Sequence, residues 1–183
     1  KNEIEGLKVI LPRINKNWVY EILFLDGGST DGSKEYLLSK GYDVLDQKSK
    51  GVKAAFWEGF EAAKGDIIIP FSPDGNSIPN DIPKLIKKIE EGYDIVIASR
   101  YLNNSKSLDD NFSSYLGNKV LTGLINVLFK TKYTDAIGMY KAFKKNDLYR
   151  LNIDKYKGEH SEVMLPCRGK RYGLKITEIL SIE

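Results

Sequence analysis

Short apolar runs alternate with helical patterns over the first hundred residues of this 183-residue chain. The runs predicted as strands end at polar or turn-forming residues, and they cover 20–25, 43–45, 66–71 and 94–98. The segments with helical patterns cover 34–39, 52–64, 83–91 and 114–129. Such alternation predicts an α/β fold in which helices cover both faces of a mostly parallel sheet.

The first predicted strand ends in a turn rich in aspartate and glycine, which reads L-D-G-G-S-T-D-G-S over 25–33. Gly28 allows a close approach of a ligand to the backbone, and Asp31 is predicted to cap the following helix. Asp26 is predicted to have a different role from capping. At the last position of a strand, its carboxylate can accept hydrogen bonds from a ribose or a base edge.

A second turn, F-S-P-D-G-N-S-I-P over 71–79, follows the third predicted strand. Ligands of open α/β sheets bind at the carboxyl ends of the strands. Asp74 and Asn76 are therefore predicted to face a phosphate-bearing ligand and its divalent cation. Taken alone, the segment would favour a Pro-Gly turn with polar filler, and it is the upstream turn that shifts the prediction to a binding site.

Several segments, in order and at consistent spacing, resemble glycosyltransferase family 2, and the dolichyl-phosphate mannose synthase-like branch most closely. The first turn resembles the family's V-D-D-G-S-T-D-G-T, and S-P-D-G-N occupies the place of its D-A-D-x-Q. The segment 51–66 resembles its G-x-G-A-A-x-x-x-G-x-x-x-A-x-G-D. A-S-R-Y over 98–101 matches G-S-R-Y, and D-A-I-G-M-Y-K-A-F over 135–143 aligns with D-x-x-S-G-F-R-A-F.

This resemblance implies a GT-A fold and inverting transfer of a sugar from a nucleoside-diphosphate sugar. It implies that Mg²⁺ or Mn²⁺ is held by Asp74 and Asn76. The residues predicted to bind the nucleotide sugar are Glu3, Asp26, Gly28, Lys53, Asp74, Arg100 and Lys141. Among them, Arg100 and Lys141 are the cations predicted to neutralise the leaving diphosphate. Arg100 is therefore predicted to be a catalytic residue as well as a binding residue.

Three positions depart from the family pattern. Ser72 replaces the first aspartate of D-x-D, Gly27 replaces the second aspartate of V-D-D-G-S, and Lys141 replaces an arginine. The predicted metal site is thus a degenerate D-x-D motif with one carboxylate. Asp109 and Asp110, in the polar loop after Arg100, are predicted to compensate as a lid over the site, and a solvated loop that caps the next helix is the equal alternative.

The start of the chain resembles the end of the family's opening P-x-Y-N-E, which places Glu3 at a strand end beside Asp26. That opening strand would be the central strand of the nucleotide-binding sheet. We therefore expect that an N-terminal strand is missing from this sequence.

The acceptor is predicted to be a polyprenyl phosphate or a hydroxyl of a glycan precursor. A hydroxyl acceptor needs a general base, for which Glu162 is the first candidate and Asp109 or Asp110 the next, whereas a phosphate acceptor needs none. His160, the only histidine, is an alternative base or an acceptor contact, although a lone histidine near a helix start is more often a capping or partly buried residue. The second acceptor-side arginine of the branch has no match in D-N-F-S-S-Y over 110–115, but the resemblance along the whole chain favours a lipid phosphate.

Composition agrees with one glycosyltransferase domain over 1–183. The net charge is only +3 and the lysines are dispersed, so no nucleic-acid partner is expected. Cys167 is the single cysteine, which excludes an internal disulfide and a cysteine-based zinc site and favours a cytoplasmic location. The apolar segment 114–129 is predicted to be a core helix, and an interfacial helix at the cytoplasmic face of a membrane is the alternative.

Two other classes of protein remain open from the sequence. One is a nucleotidyltransferase of related architecture, which would carry a G-x-G-x-R loop after its first strand. The other is a nucleotide-sugar binding module without turnover, which Ser72 and Gly27 would suit.

Overall fold

Helices and strands alternate along the part of the chain described by a computed structural model, which comprises residues 1–74, 77–105, 112–153 and 161–181. The α-helices are α1 Ile4–Ile10, α2 Ser33–Ser39, α3 Val52–Ala62, α4 Ile82–Glu90, α5 Phe112–Phe129, α6 Lys145–Arg150 and α7 Ser161–Arg171. The strands are β1 Leu23–Asp26, β2 Asp43–Asp46, β3 Ile67–Ile68, β4 Ile95–Ser99, β5 Lys141–Lys144 and β6 Ile176–Leu180. Short 3₁₀ helices cover Leu11–Arg13, Lys16–Trp18, Pro79–Asp81 and Leu102–Asn104.

All four predicted strands are present, with bounds that differ from the prediction. The largest difference is in β3, which is limited to Ile67–Ile68 although a strand was predicted over 66–71. Pro70 has no backbone amide to donate to a neighbouring strand, and this explains why the ladder stops early.

The described strands form two sheets. In the first, β1 pairs in parallel with β2, and in the second the order is β3-β5-β4-β6. The prediction of an α/β fold is confirmed, but the sheet is mixed rather than mostly parallel. The reason is β5, which lies antiparallel between β3 and β4, whereas β6 pairs with β4 in parallel.

The four-stranded sheet is covered on both faces, as predicted. Ile95 of β4 contacts a cluster on one face that includes Trp57 of α3 and Leu165 of α7. Val96, the next residue of the same strand, contacts a cluster on the other face that includes Leu85 of α4. Successive residues of a strand point to opposite faces, so β4 is buried on both sides.

The helix α1 was not predicted from the sequence. Its residue Leu7 packs against Leu37 of α2, together with Leu11 of the following 3₁₀ helix. Phe24 and Val44 of the parallel β1-β2 sheet adjoin this cluster. The first residues of the chain are thereby held beside the turn that follows β1.

The helix α5 was predicted to belong to the core, but only Ile125 and Phe129 of this helix join a core cluster, together with Ala136 and Cys167. Its buried residues are Asn118, Thr122 and Ile125, of which only Ile125 is apolar. Most of its large apolar side chains are exposed instead. The inward side of α5 is partly polar, and its residues Asn118 and Thr122 hydrogen-bond the segment before β5, as described below.

Candidate functional site

The carboxylate of Asp26 organises the turn at the end of β1. Asp26 is only 8% exposed, and its Oδ2 accepts hydrogen bonds from the amides of Gly28 at 3.0 Å and Ser29 at 2.9 Å. The Ser29 hydroxyl donates to Oδ1 at 2.5 Å. Burial raises the pKa of Asp26, but these hydrogen bonds outweigh burial and hold the pKa below its usual range. Contrary to the expectation that Asp26 has no capping role, it caps its own turn.

Gly28 lies in this turn with a φ of +78°, in the left-handed region that favours glycine. No heavy atom would lie within 4 Å of a Cβ at this position. The requirement for glycine at position 28 therefore comes from the backbone conformation, and the surface above the turn is open.

The first residues of the chain lie against the same turn. The Asn2 amide donates to Ser29 Oγ at 3.0 Å, and Asn2 Oδ1 accepts from the Thr30 amide at 2.9 Å. The Glu3 amide donates to Ser33 Oγ at 3.0 Å. The structure thus brings Glu3 next to the turn that Asp26 organises.

Asp31 links two helix starts. Its Oδ1 accepts from the Ser33 amide of α2 and its Oδ2 from the Ile4 amide of α1, both at 3.0 Å. The Ser33 hydroxyl also donates to Oδ1, and this bond is the main cause that lowers the pKa of Asp31. Asp31 thus accepts the first amide of both helices, but it does not occupy the N-cap position predicted for it, which is Gly32 in α2 and Glu3 in α1.

A close approach between α1 and the second turn brings the two turns together. A Cβ built on Gly6 would lie 2.2 Å from the carbonyl oxygen of Pro73 and 3.9 Å from a carboxylate oxygen of Glu3. Only glycine permits this contact. Asp74, the next residue after Pro73, is exposed. Glu3 and the turn that carries Asp74 therefore lie on the same side of the molecule as Asp26.

Arg100, which directly follows β4, is paired with a buried carboxylate. Its Nε and Nη2 donate to Asp135 at 2.9 Å and 3.3 Å. Asp135 is fully buried, whereas the Arg100 side chain is 22% exposed. Asn118 donates to Asp135 Oδ1 at 2.8 Å, and the Gly138 amide donates to it at 3.2 Å. Arg100 is thus fixed at the end of β4 by a carboxylate with several donors.

Lys141 of β5 belongs to the same charged group. Lys141 is 1% exposed, and its Nζ donates to the carbonyl of Gly138. Burial raises the pKa of Asp135. The hydrogen bond and the charge of Arg100, then the hydrogen bond of Asn118 and the charge of Lys141, together lower this pKa by more. The pKa of Asp135 is therefore below its usual range. The structure brings the two predicted cations, Arg100 and Lys141, together around Asp135.

The segment that carries Asp135 is also held by Glu178 of β6. The Glu178 carboxylate accepts from the Thr134 amide at 2.9 Å and from the Asp135 amide at 3.2 Å. The hydroxyls of Thr134 and Ser99 lie 2.5 Å apart. Sequence reasoning singled out neither Asp135 nor Glu178. Asp135 begins the segment 135–143, which resembles a family motif, and this resemblance could have identified Asp135 as a site residue. Nothing in the sequence pointed to Glu178.

Several predicted site residues lie outside the described part of the chain. These are Asn76, Asp109 and Asp110, and also His160. The backbones of Lys53 in α3 and Glu162 in α7 are described, but their side chains are not. Among the described residues, no group of three or more histidine, cysteine, aspartate or glutamate side chains is arranged to hold a metal ion.

Comparison with known proteins finds relatives that share most of this chain. It is 29% identical over 178 residues to the undecaprenyl-phosphate 4-deoxy-4-formamido-L-arabinose transferase of Yersinia pestis (strain Pestoides F), a match that covers 91% of this chain and 49% of the relative. The protein of the same name from Photorhabdus laumondii is 32% identical over 133 residues, which covers 66% of this chain and 41% of the relative. The chain thus spans less than half the length of these relatives.

Among solved structures, the glucosyl-3-phosphoglycerate synthase of Mycobacterium tuberculosis in complex with Mn²⁺, uridine-diphosphate-glucose and phosphoglyceric acid superposes with a TM-score of 0.77 at 19% identity. The superposition covers 99% of this chain and 67% of that one. The likeness establishes the GT-A fold. The family model of glycosyl transferase family 2 matches residues 1–151, and the chain therefore belongs to glycosyl transferase family 2.

Proposed function

We propose that this chain is an inverting glycosyltransferase that moves a sugar from a nucleoside-diphosphate sugar to a polyprenyl phosphate, with residues 1–183 as one catalytic domain. Family membership supports sugar transfer, and the names of the relatives support a polyprenyl phosphate as acceptor. The M. tuberculosis neighbour, solved with uridine-diphosphate-glucose, supports a nucleotide-sugar donor.

The observation that carries the donor assignment is the contact between α1 and the turn after β3. Because Gly6 lies against Pro73, the turn that carries Asp74 is close to Glu3 and to the turn of Asp26. The carboxyl ends of strands in an α/β fold are the usual place for a nucleotide, and both carboxylate-bearing turns follow such ends. In this proposal Glu3, Asp26, Gly28 and Lys53 face the nucleoside, and Asp74 faces the diphosphate.

The departing diphosphate carries negative charge that the protein must stabilise. In the proposal this is the task of Arg100, whose guanidinium is oriented by the buried carboxylate of Asp135. Lys141 is buried in the same network, which supports a contribution through its charge rather than by direct contact. Asp135 and Glu178 act as positioning residues that hold the segment beside Arg100.

A divalent cation is the proposed cofactor, because the M. tuberculosis neighbour binds Mn²⁺ together with its nucleotide sugar. When bound, such an ion neutralises charge on the leaving diphosphate. In the described part of the chain the second turn offers the exposed Asp74 as a ligand. This fits an ion that takes one carboxylate from the protein and the rest of its shell from phosphate and water. Asn76, Asp109 and Asp110 remain the proposed additional ligands.

The acceptor is proposed to be reached at the cytoplasmic face of a membrane. None of the described helices has both the length and the apolar character needed to cross a bilayer. The domain would then take its lipid-linked acceptor from the membrane surface. With a phosphate as the attacking group, transfer requires no general base, because the nucleophile is already an anion.

Titration of the purified chain with UDP and Mn²⁺, followed by transfer assays with UDP-sugars and undecaprenyl phosphate, tests this proposal. Asp26→Ala should weaken UDP binding by about 1–3 kcal/mol, because the turn loses the acceptor that holds it. Asp46 is the matched control, since it pairs with Asp26 in the parallel register and is exposed. Absence of UDP binding to the unmodified chain, or equal losses in Asp26→Ala and Asp46→Ala, would refute the donor site.

A further inference from the structure

The side chain of Gln47 occupies the space beside Gly27, in the turn that follows β1. A Cβ built on Gly27 would lie 3.0 Å from Gln47 Oε1. The φ angle of Gly27 lies outside the left-handed region, unlike that of Gly28, so the backbone itself does not require glycine at position 27. The contact with Gln47 is therefore what disfavours a side chain there. Gly27 is also one of the positions at which the chain departs from the family pattern.

The amide group of Gln47 folds the loop after β2, which comprises residues 47–51. Gln47 Nε2 donates to the carbonyl of Ser49 and, at 2.7 Å, to the carbonyl of Gly51. Gly51 is the N-cap residue of α3. The backbone amide of Gln47 donates to the carbonyl of Asp26 at 2.8 Å. One residue therefore connects the end of β1, the loop after β2 and the start of α3.

A carboxylate of α3 also holds this loop. Glu58 Oε2 accepts from the amide of Lys48 at 2.7 Å, and Glu58 Oε1 accepts from the amide of Ser49 at 2.8 Å. These hydrogen bonds, that of Lys48 first, hold the pKa of Glu58 below its usual range. The helix α3 packs closely on β1, since a Cβ on Gly59 would lie 2.8 Å from Leu25 Cδ1. The loop after β2 is thus fixed relative to the end of β1.

The loop after β2 adjoins the surface to which the donor nucleotide is assigned. Because β1 and β2 are parallel, this loop and the turn of Asp26 lie at the same edge of the sheet. The surface above Gly28 in that turn is open. Lys48 and Lys50 of the loop are exposed, and in the described part of the chain neither forms an ion pair with a carboxylate. Cationic side chains beside an open surface favour an anionic ligand such as a nucleoside diphosphate.

We propose that Gln47 is a positioning residue of the donor site. It does not bind the nucleotide itself, because both hydrogens of its Nε2 already have acceptors. It keeps the loop after β2 folded against the turn of Asp26, so that the loop forms one side of the nucleotide site. Gly27 leaves the space that Gln47 needs, and the two positions therefore depend on each other. The inference rests on the proposed function, because it concerns the site assigned there to the nucleoside diphosphate.

UDP titration of Gln47 variants tests the inference. Gln47→Ala removes both donor hydrogens and should weaken UDP binding about tenfold. Gln47→Glu keeps the shape of the side chain but turns an oxygen towards two carbonyls, and it should weaken binding at least as much. Asn17→Ala, which removes an exposed amide side chain from the 3₁₀ helix Lys16–Trp18, is the matched control and should bind UDP normally. Circular dichroism melting shows that each variant is folded.

The dependence between positions 27 and 47 is measured in the same titration. Gly27→Ala should weaken UDP binding about threefold in the unmodified chain, because its methyl group displaces Gln47 Oε1. In the Gln47→Ala background, Gly27→Ala should have no further effect. Gly123→Ala, whose methyl group would meet no atom within 4 Å, is the control. Equal effects of Gly27→Ala in the two backgrounds would overturn the inference.

Limited digestion with trypsin reports on the loop directly. Trypsin cleaves after lysine, and mass spectrometry of the peptides follows the cuts after Lys48 and Lys50. UDP should slow these two cuts in the unmodified chain and leave unchanged the cut after Lys40, an exposed lysine directly after α2. In Gln47→Ala both cuts should be faster without UDP, because the loop is no longer folded. A role in global stability alone would accelerate the cut after Lys40 equally, and this result would overturn the inference.

A transfer assay adds a kinetic measurement. Gln47→Ala should raise KM for a UDP-sugar with little change in kcat, because the loss concerns binding of the donor and not the chemical step. UDP binding that Gln47→Ala leaves unchanged, or loop cuts that UDP does not slow, would overturn only this inference. Absence of UDP binding by the unmodified chain would overturn the proposed donor site and the inference with it.

Discussion

Asn118 of α5 donates a 2.8 Å hydrogen bond to the buried carboxylate of Asp135, which also pairs with Arg100. A polar residue on the inward side of α5 and a cation at the end of β4 thus share one acceptor. Thr122 extends the network, since its hydroxyl donates to Asn118 Oδ1 at 3.0 Å. The carboxylate of Asp135 therefore orients both the helix and the guanidinium.

Replacement of Asp135 should destabilise the fold. Asp135→Asn keeps the shape of the side chain but removes the charge that Arg100 needs, and loss of one partner of a buried pair costs about 3 kcal/mol. Urea unfolding measures the change. Glu91→Gln, which breaks an exposed pair with Lys88, is the control and should leave the midpoint unchanged. A midpoint for Asp135→Asn close to that of the control would contradict the central role of this carboxylate.

The same carboxylate predicts a pH dependence of stability. The pKa of Asp135 is lower in the folded protein than in the unfolded chain, so the unfolded chain binds more protons on acidification. The contribution of Asp135 is fully present above the unfolded value, which is about 3.9, and is lost as the pH falls through the folded value. Asp135→Asn should therefore show a shallower loss of unfolding free energy below this pH. Asp43→Asn, an exposed control, should keep the slope of the unmodified chain.

The contact between Gly6 and Pro73 should tolerate no side chain. Gly6→Ala would place a methyl group 2.2 Å from a backbone oxygen, and overpacking of this kind costs about 1–3 kcal/mol. It should also weaken UDP binding, because α1 is pushed away from the turn of Asp74. Thermal melting and UDP titration measure the two effects.

The matched control is the same substitution in α5. A Cβ at Gly117 would meet no atom within 4 Å, and alanine stabilises a helix interior by roughly 0.5–1 kcal/mol relative to glycine. Gly117→Ala should therefore raise the melting temperature. A Gly6→Ala variant as stable as Gly117→Ala would show that α1 is free to move from the second turn.

The sequence predicted the first four strands, because short apolar runs that end in turns are a local signal. It gave no bounds for β5 or β6. The antiparallel direction of β5 could not be predicted either, since the side-chain pattern of a strand is the same in parallel and antiparallel pairs. The helix α5 shows a similar limit. The sequence revealed an apolar helix, but hydropathy alone cannot tell whether an apolar face is turned to the core or to an outside partner.

The residues of the candidate site likewise include some that the sequence predicted and some that it did not. Glu3, Asp26 and Arg100 were predicted from motifs, which record chemistry at strand ends. Glu178 was not, because it lies on the late strand β6 and reaches the site only through the pairing of β6 with β4. The actual role of Asp26 in its turn depends on where the amides of Gly28 and Ser29 point, and a sequence does not contain that geometry.

Removal of divalent cations should weaken nucleotide binding. In the absence of a cation, the diphosphate of UDP faces the carboxylate of Asp74 without a bridging positive charge. EDTA should therefore lower UDP affinity, and Mn²⁺ should restore it. The variant Asp74→Ala should bind UDP equally with and without Mn²⁺. Affinity that EDTA leaves intact would mean that Arg100 and Lys141 neutralise the diphosphate without a metal.

The last prediction concerns the acceptor and uses Glu162. If the acceptor is a polyprenyl phosphate, its oxygen is already anionic, and Glu162→Gln should retain near-normal turnover with UDP-sugar and undecaprenyl phosphate. If the acceptor is a hydroxyl, loss of a general base should lower turnover by about 10²–10⁴-fold while UDP binding is retained. Glu91→Gln, the same substitution at an exposed position directly after α4, controls for nonspecific effects. We expect the first result, and a large loss confined to Glu162→Gln would replace the phosphate acceptor with a hydroxyl one.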